Sequence, residues 1–225
     1  MPPMPETNSA PLGLLGGTFD PVHYGHLRLA EEGRAALGLA GVRWIPAGQP
    51  PHRAAPDAAA AHRLEMARRA IAGNPAFTVD DAETRAAGPS YTVVTLERLR
   101  AEAGRRPLVL LMGADAFLGL PAWHRWREIF DLVHLGLAAR PGFALSPTDW
   151  PAELAQACAG RLGEAADLRA APAGRIASFA MTPLGISASL LRAQLAAGAS
   201  VRYLLPEPVR EYIESHRLYR IPDGH

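Results

Sequence analysis

Six short runs, "LGLLGG", "VRWIP", "FTVDD", "PLVLLMG", "HLGLAAR" and "RIASFAM", punctuate the chain at intervals, and longer segments of mixed polarity separate them. Most are continuously apolar and bordered by glycine or proline, so they read as strands buried on both faces. In the intervening segments apolar residues recur at helical spacing: Leu64, Ala67 and Ile71; Leu96 and Leu99; Leu190, Leu191 and Leu195. Buried strands alternating with helices specify an α/β fold, a doubly wound and mostly parallel sheet covered on both sides. Ligands of such sheets bind beyond the carboxyl ends of the strands, at the starts of the helices that follow.

The chain has 225 residues, 48% of them apolar, enough for one sizeable core. No internal repeat breaks it. Residues 1–11, "MPPMPETNSAP", read as a loose tail without the basic and apolar regions of a secretory signal, and residues 12–225 as a single domain with a helical C-terminal portion. No apolar stretch approaches the roughly 20 residues that span a bilayer, so a cytoplasmic protein is expected. A formal charge of +1 gives no whole-molecule pull toward nucleic acid or anionic membrane. All 23 basic residues are arginine, which removes Walker A loops, Schiff-base lysines and lysine bases from consideration. Cys158, the single cysteine, permits no internal disulfide and no cysteine-based zinc cluster, and reads as an inert buried thiol.

The stretch "LLGGTFDPVHYGHL" concentrates the chemistry. Leu12 to Leu15 end a strand, Gly16 and Gly17 are expected to turn with positive φ or admit close approach of a ligand, and a helix runs from about His23 to Leu37. Strand, glycine turn and helix start form a cradle for anions. It matches neither G-x-G-x-x-G nor a Walker loop, so no dinucleotide or kinase site follows from it. His23 and His26, three apart, are placed on one helical face where both could touch one anion. Either alone reads equally as structural. Metal ligation competes, but two histidines lack further ligands at a recognisable spacing.

These residues resemble the signature of the nucleotidyltransferase superfamily, whose (H/T)-x-G-H element is matched by His23, Tyr24, Gly25 and His26. A second superfamily element, I-S-x-(S/T)-x-x-R, is matched by "ISASLLR", Ile186 to Arg192. With them, "PPHR" (50–53), "PSYT" (89–92), "GAD" (113–115), "LPAWHRW", "ARPG" and "LLPEPVREYI" resemble the bacterial nicotinate-mononucleotide adenylyltransferase family from about Leu12 to Arg220. The resemblance implies a Rossmann-like nucleotidyltransferase fold and transfer of AMP from ATP to nicotinate mononucleotide in NAD biosynthesis, with Mg²⁺ carried on ATP. Two departures stand out. Arg53 occupies a position where many members have lysine, keeping charge but changing phosphate geometry, and Ala188 with Ser189 replaces a commoner Ser/Thr-Thr pair.

Carried over residue by residue, the resemblance assigns His23 and His26 to the α- and β-phosphate oxygens, and Gly16, Gly17, Thr18 and Phe19 to the lining of the turn. Ile186, Ser187 and Ser189 open the second phosphate-binding helix, Arg192 reaches the β- and γ-phosphates, and Arg140 reaches ATP. On the acceptor side it implies His52 and Arg53 in a loop over phosphates, Thr92 beside the nicotinate carboxylate, Gly113 and Asp115 near ribose or acceptor, and Trp123 stacked on the pyridine. Competing roles are ordinary ones: helix caps for the serines and Asp115, a helix start for Thr92, a core anchor for Trp123. Trp126 reads as core.

Adenylyl transfer to a phosphate monoester suits such residues, since the nucleophile is already anionic and pyrophosphate leaves readily. Positioning and charge stabilisation then dominate over acid or base catalysis. The expected partners are ATP and nicotinate mononucleotide, without nucleic acid or membrane, and the sequence leaves open whether the chain forms a homo-oligomer. Rival readings are a sister transferase with another acceptor, a nucleotide-binding regulator without catalysis, and an NAD-dependent redox enzyme. The last lacks G-x-G-x-x-G and any evident hydride-transfer residue.

Overall fold

The computed structural model describes residues 10–51, 55–139, 148 and 150–220. Its seven strands are β1 (Leu12–Gly17), β2 (Gly41–Pro46), β3 (Phe77–Val79), β4 (Leu108–Gly113), β5 (His134–Ala139), β6 (Leu162–Gly163) and β7 (Ile176–Ala180). They form one sheet in the order β3-β2-β1-β4-β5-β7-β6, and every pairing with a described register is parallel. The chain builds outward from β1 in one direction and then, from β4 onward, in the other. That reversal is the topological switch of a doubly wound sheet. All six runs read as strands from the sequence are strands. The seventh, β6, is a two-residue edge piece against Ile176 and Ala177, too short to leave an apolar run.

The helices are α1 (Tyr24–Ala36), α2 (Ala60–Ile71), α3 (Ala82–Arg85), α4 (Thr92–Ala103), α5 (Ala114–Leu118), α6 (Ile129–Leu132), α7 (Ala152–Cys158), α8 (Ala188–Ala196) and α9 (Glu207–Ser215). Among the described residues no helix is long and apolar enough to cross a membrane. Of the N-terminal tail, residues 1–9 lie outside the described residues.

Two compact units divide the chain. The first comprises Met1–Leu15, Leu29–Val42 and Tyr91–Met181. Its centre is the row Leu14, Leu110, Leu135 and Ile176, aligned in register across β1, β4, β5 and β7 and fully buried. Continuous apolar strands produce such a row because a parallel sheet leaves neither face to water. Cys158 is buried here, and burial pushes its thiol up to about 11, so it stays protonated and unreactive at neutral pH.

The second unit comprises Gly16–Arg28, Arg43–Ser90 and Thr182–His225. Trp44 fills its centre, with Phe19 at 5.1 Å and Phe77 at 5.9 Å between ring centroids. On α2 the buried face is Arg63, Met66, Ala67 and Ile71: Ala67 and Ile71 are buried as expected, while Leu64 is only half-buried and Arg63 beside it takes the innermost place. The expected stripe on α8 is likewise corrected. Leu191 is buried, but Leu190 points outward at 43% exposure, since a nine-residue helix lying on a surface offers the core one narrow face.

Candidate active site

At the end of β1 the strand geometry persists through Gly16 and Gly17, whose carbonyl accepts the Ala47 N–H at 2.9 Å. Neither glycine has positive φ, so of the two expected alternatives the left-handed turn does not hold; the left-handed residue is Phe19, at φ 53°. Packing explains the shift. A Cβ on Gly17 would meet Cε1 of Phe19 at 2.8 Å, so glycine is required there for close approach of the ring rather than for a turn. Phe19 is buried, its ring against Trp44 and His26, while Thr18 is half-buried and Gly16 exposed.

His23 is buried and precedes α1 instead of standing on its face. Its Nδ1 accepts the Gly25 N–H at 3.1 Å, and its own N–H donates to Nδ1 of His26 at 3.3 Å. The two imidazoles stack with centroids 3.8 Å apart. With both Nδ1 atoms used as acceptors, each neutral ring carries its proton on Nε2 and presents that atom as a donor. Gly25 is part of the arrangement. A Cβ there would lie 2.9 Å from the His23 ring, so the glycine between the two histidines lets the first fold back over the helix start.

Burial lowers the His23 pKa to about 4. It is therefore a neutral donor at physiological pH. Because the folded pKa lies below the unfolded value of 6.5, the unfolded chain binds the extra proton between these limits, and stability from neutral His23 is complete above pH 6.5 and lost as pH falls toward 4. Denaturant titrations are expected to show a loss of about 3 kcal/mol from this group between pH 7 and 4, absent in His23→Gln. An equal acid loss in the variant would show that other groups carry it.

The second motif reaches the same helix start. The Ile186 carbonyl passes within 3.7 Å of where a Gly25 Cβ would stand. Ser187 caps α8, its Oγ accepting the Leu190 N–H at 3.2 Å and lying 3.2 Å from Ser189 Oγ, with both serines exposed. Capping and anion contact are compatible here, because one hydroxyl satisfies one amide of several at a helix start. One turn on, Arg192 donates from its Nη1 to the Asp20 carbonyl at 2.9 Å and pairs through Nε with the Asp57 carboxylate. Both motifs thus converge within one unit.

Two buried charges hold these pieces. The Asp20 carboxylate accepts the Asp57 N–H (2.8 Å), the Ala58 N–H (3.1 Å) and the Tyr219 hydroxyl (2.7 Å). The Arg63 guanidinium, 1% exposed, donates to the carbonyls of Ala58 (3.0 Å), Thr18 (2.8 Å), Gly48 (2.7 Å) and Ala47. Sequence reasoning singled out none of Asp20, Arg63 or Tyr219. The one available signal was an arginine beside the apolar stripe of α2, and it reads more simply as a side chain with its head in water.

Of the candidate acceptor residues, Thr92, Gly113, Asp115 and Trp123 belong to the other unit. Thr92 is the first residue of α4 and half-buried. Gly113 closes β4 and occupies the cap position of α5, so Asp115 is no cap; its side chain is exposed in the first turn. Trp123 is half-buried in extended backbone after a short 3₁₀ turn, whereas Trp126 packs inward against Phe130, as expected of it. A 4.5 Å ring contact between Tyr91 and His124 brings the "PSYT" and "PAWH" segments together. His52, Arg53 and Arg140 lie outside the described residues. Among the described residues no group of three or more His, Cys, Asp or Glu could hold a metal ion.

A model of the cytidylyltransferase-like family matches residues 14–194. A relative from Dechloromonas aromatica named "Probable nicotinate-nucleotide adenylyltransferase" is 58% identical over 214 residues, covering 94% of this chain and 99% of its own. Another of the same name, from Halorhodospira halophila, is 51% identical over 212 residues, covering 94% and 96%. Among solved structures, Plasmodium falciparum nicotinic acid mononucleotide adenylyltransferase complexed with NaAD aligns over 93% of this chain and 97% of its own, with TM-score 0.72 and 13% identity. At that identity the likeness speaks for the fold.

Proposed function

Because this chain belongs to the cytidylyltransferase-like family, and within it to the nicotinate-nucleotide adenylyltransferases, we propose that it transfers AMP from ATP to nicotinate mononucleotide as a cytoplasmic step of NAD biosynthesis. A phosphate oxygen of the acceptor attacks the α-phosphorus, the bond from that phosphorus to the bridging oxygen breaks, and pyrophosphate departs. The products are deamido-NAD and pyrophosphate, and no proton need move to a side chain. The observation that carries the reading is the stacked His23–His26 pair with each Nδ1 engaged by a backbone N–H, from which it follows that each neutral ring has its proton on Nε2. Donors fixed in advance toward charge that builds on phosphate oxygens are worth more than donors that must reorient.

Roles follow for the other residues. His23, neutral by burial, stabilises by dipole and not by charge. Ser187, Ser189 and the amides opening α8 receive phosphate oxygens beside Arg192, whose guanidinium supplies the positive charge. Mg²⁺ enters as part of the ATP substrate, bound by its phosphates. Asp20, the carboxylate nearest the motif in sequence, is poorly suited to hold the ion, because its oxygens already accept three N–H or O–H groups. Trp123 stacks on the pyridine ring, with Thr92 beside its carboxylate.

The test is pyrophosphate release with ATP, Mg²⁺ and either nicotinate mononucleotide or its amide, the dinucleotide being identified by mass. Turnover strongly favouring the acid is expected. Turnover with the amide alone would move the chain to another acceptor, and none with either would overturn the reading. In the same assay Trp123→Ala is expected to raise the acceptor KM about tenfold while ATP KM stays put, since stacking is made in the ground state too. An unchanged acceptor KM would remove Trp123 from the pyridine site.

A further inference from the structure

Beyond α9 the chain bends back on itself. The carbonyls of Tyr212, Glu214 and Ile213 accept the N–H groups of His216, Arg217 and Leu218, and two non-glycine residues, Arg217 at φ 52° and Tyr219 at φ 62°, adopt left-handed backbone. Such residues cost on the order of 1 kcal/mol each and persist where surrounding contacts hold them. One contact is specific. The Tyr219 hydroxyl donates to Oδ1 of Asp20 at 2.7 Å, across 199 positions of sequence.

Asp20 in turn sets two anchors of Arg192. Its backbone carbonyl accepts directly from the guanidinium, and its Oδ2 holds the N–H of Asp57, whose carboxylate pairs with Nε of the same arginine. Tyr219 and the Ala58 N–H share Oδ1. Removing the phenol hydroxyl leaves Oδ1 held by the Ala58 N–H alone, at the longer distance of 3.1 Å, which loosens the carboxylate, and a turn of Asp20 shifts the carbonyl and the Asp57 backbone together. The guanidinium of Arg192 then loses its aim.

We propose that Tyr219 is a positioning residue for Arg192, acting through Asp20, so that the segment after the last helix tunes the affinity of the site for the nucleotide triphosphate. The inference rests on the proposed function, in which Arg192 contacts the β- and γ-phosphates. Burial keeps the phenol protonated well beyond its ordinary range, so it remains a donor throughout the working pH. It touches no reacting atom and is not a catalytic residue.

A double-mutant cycle on the full chain separates positioning from general support. The readout is calorimetric binding of a non-hydrolysable ATP analogue with Mg²⁺, without acceptor. Tyr219→Phe keeps the ring and is expected to weaken binding about tenfold. In an Arg192→Ala background, itself weakened, the same change is expected to alter binding less than twofold. A full tenfold loss in both backgrounds, or no loss in either, overturns the inference while leaving the proposed function standing. Failure of the unmodified chain to bind the analogue overturns the proposed function itself.

Discussion

Replacing His26 by alanine is expected to lower kcat by about 10²-fold or more while ATP KM changes only a few-fold. The expectation follows from what the ring does twice over. Its Nδ1 accepts the His23 N–H and its face stacks on the His23 imidazole, so it holds the neighbouring donor, while its Nε2 is proposed as a donor in its own right. A donor aimed at the oxygen where charge develops is worth more in the transition state than in the bound substrate, which places the loss in kcat. The two contributions can be separated. Asparagine at position 26 offers an oxygen near the place of Nδ1 but nothing at Nε2. A His26→Asn enzyme as slow as His26→Ala would assign the effect to the Nε2 donor, and one near normal would assign it to support of His23. Near-normal kcat in both would show that His26 is only structural.

The strands were legible because a parallel sheet buries both faces, and burial on both faces leaves a continuous apolar run that no solvent-facing element needs. For the same reason β6 was illegible, since two edge residues make no run. The cap at Ser187 was legible from a serine placed just before an apolar periodicity. The turn after β1 was read one step off. Two glycines suggested positive φ, but the strand continues through both and the strain falls on Phe19, because the deciding interaction is a phenyl ring lying over Gly17. That is tertiary packing, invisible to local propensity. Asp20 and Arg63 were missed for a deeper reason. Their partners are chiefly backbone N–H groups and carbonyls, which every residue possesses, so no sequence pattern marks the far ends of those bonds. The motifs located the proposed phosphate contacts, while what positions those residues emerged only in three dimensions.

Arg63 gives the largest expected effect on stability. Its guanidinium is almost wholly buried, and its donors are spent on four carbonyls: Ala58 just ahead of its own helix, Thr18 after β1, and Ala47 with Gly48 after β2. Burial lowers its pKa and the Asp20 charge opposes that, but an arginine has so much margin that it stays ionised. Arg63→Met removes the charge, strands four backbone acceptors, those of Ala58 and Gly48 in buried contacts, and takes a cation away from the Asp20 carboxylate. Breaking a buried charge network by deleting one partner costs about 3–5 kcal/mol. Urea unfolding of the variant is expected to show a loss of that size, with Tm falling by about 10 °C. Lysine is a poor substitute, because a single ammonium cannot point at carbonyls on three segments as the planar fork does. Arg63→Lys is therefore expected to lose more than half as much stability as Arg63→Met. A loss below about 1 kcal/mol in Arg63→Met would mean that water satisfies the carbonyls equally well, and that the loops carrying Thr18 and Gly48 keep their places without the arginine.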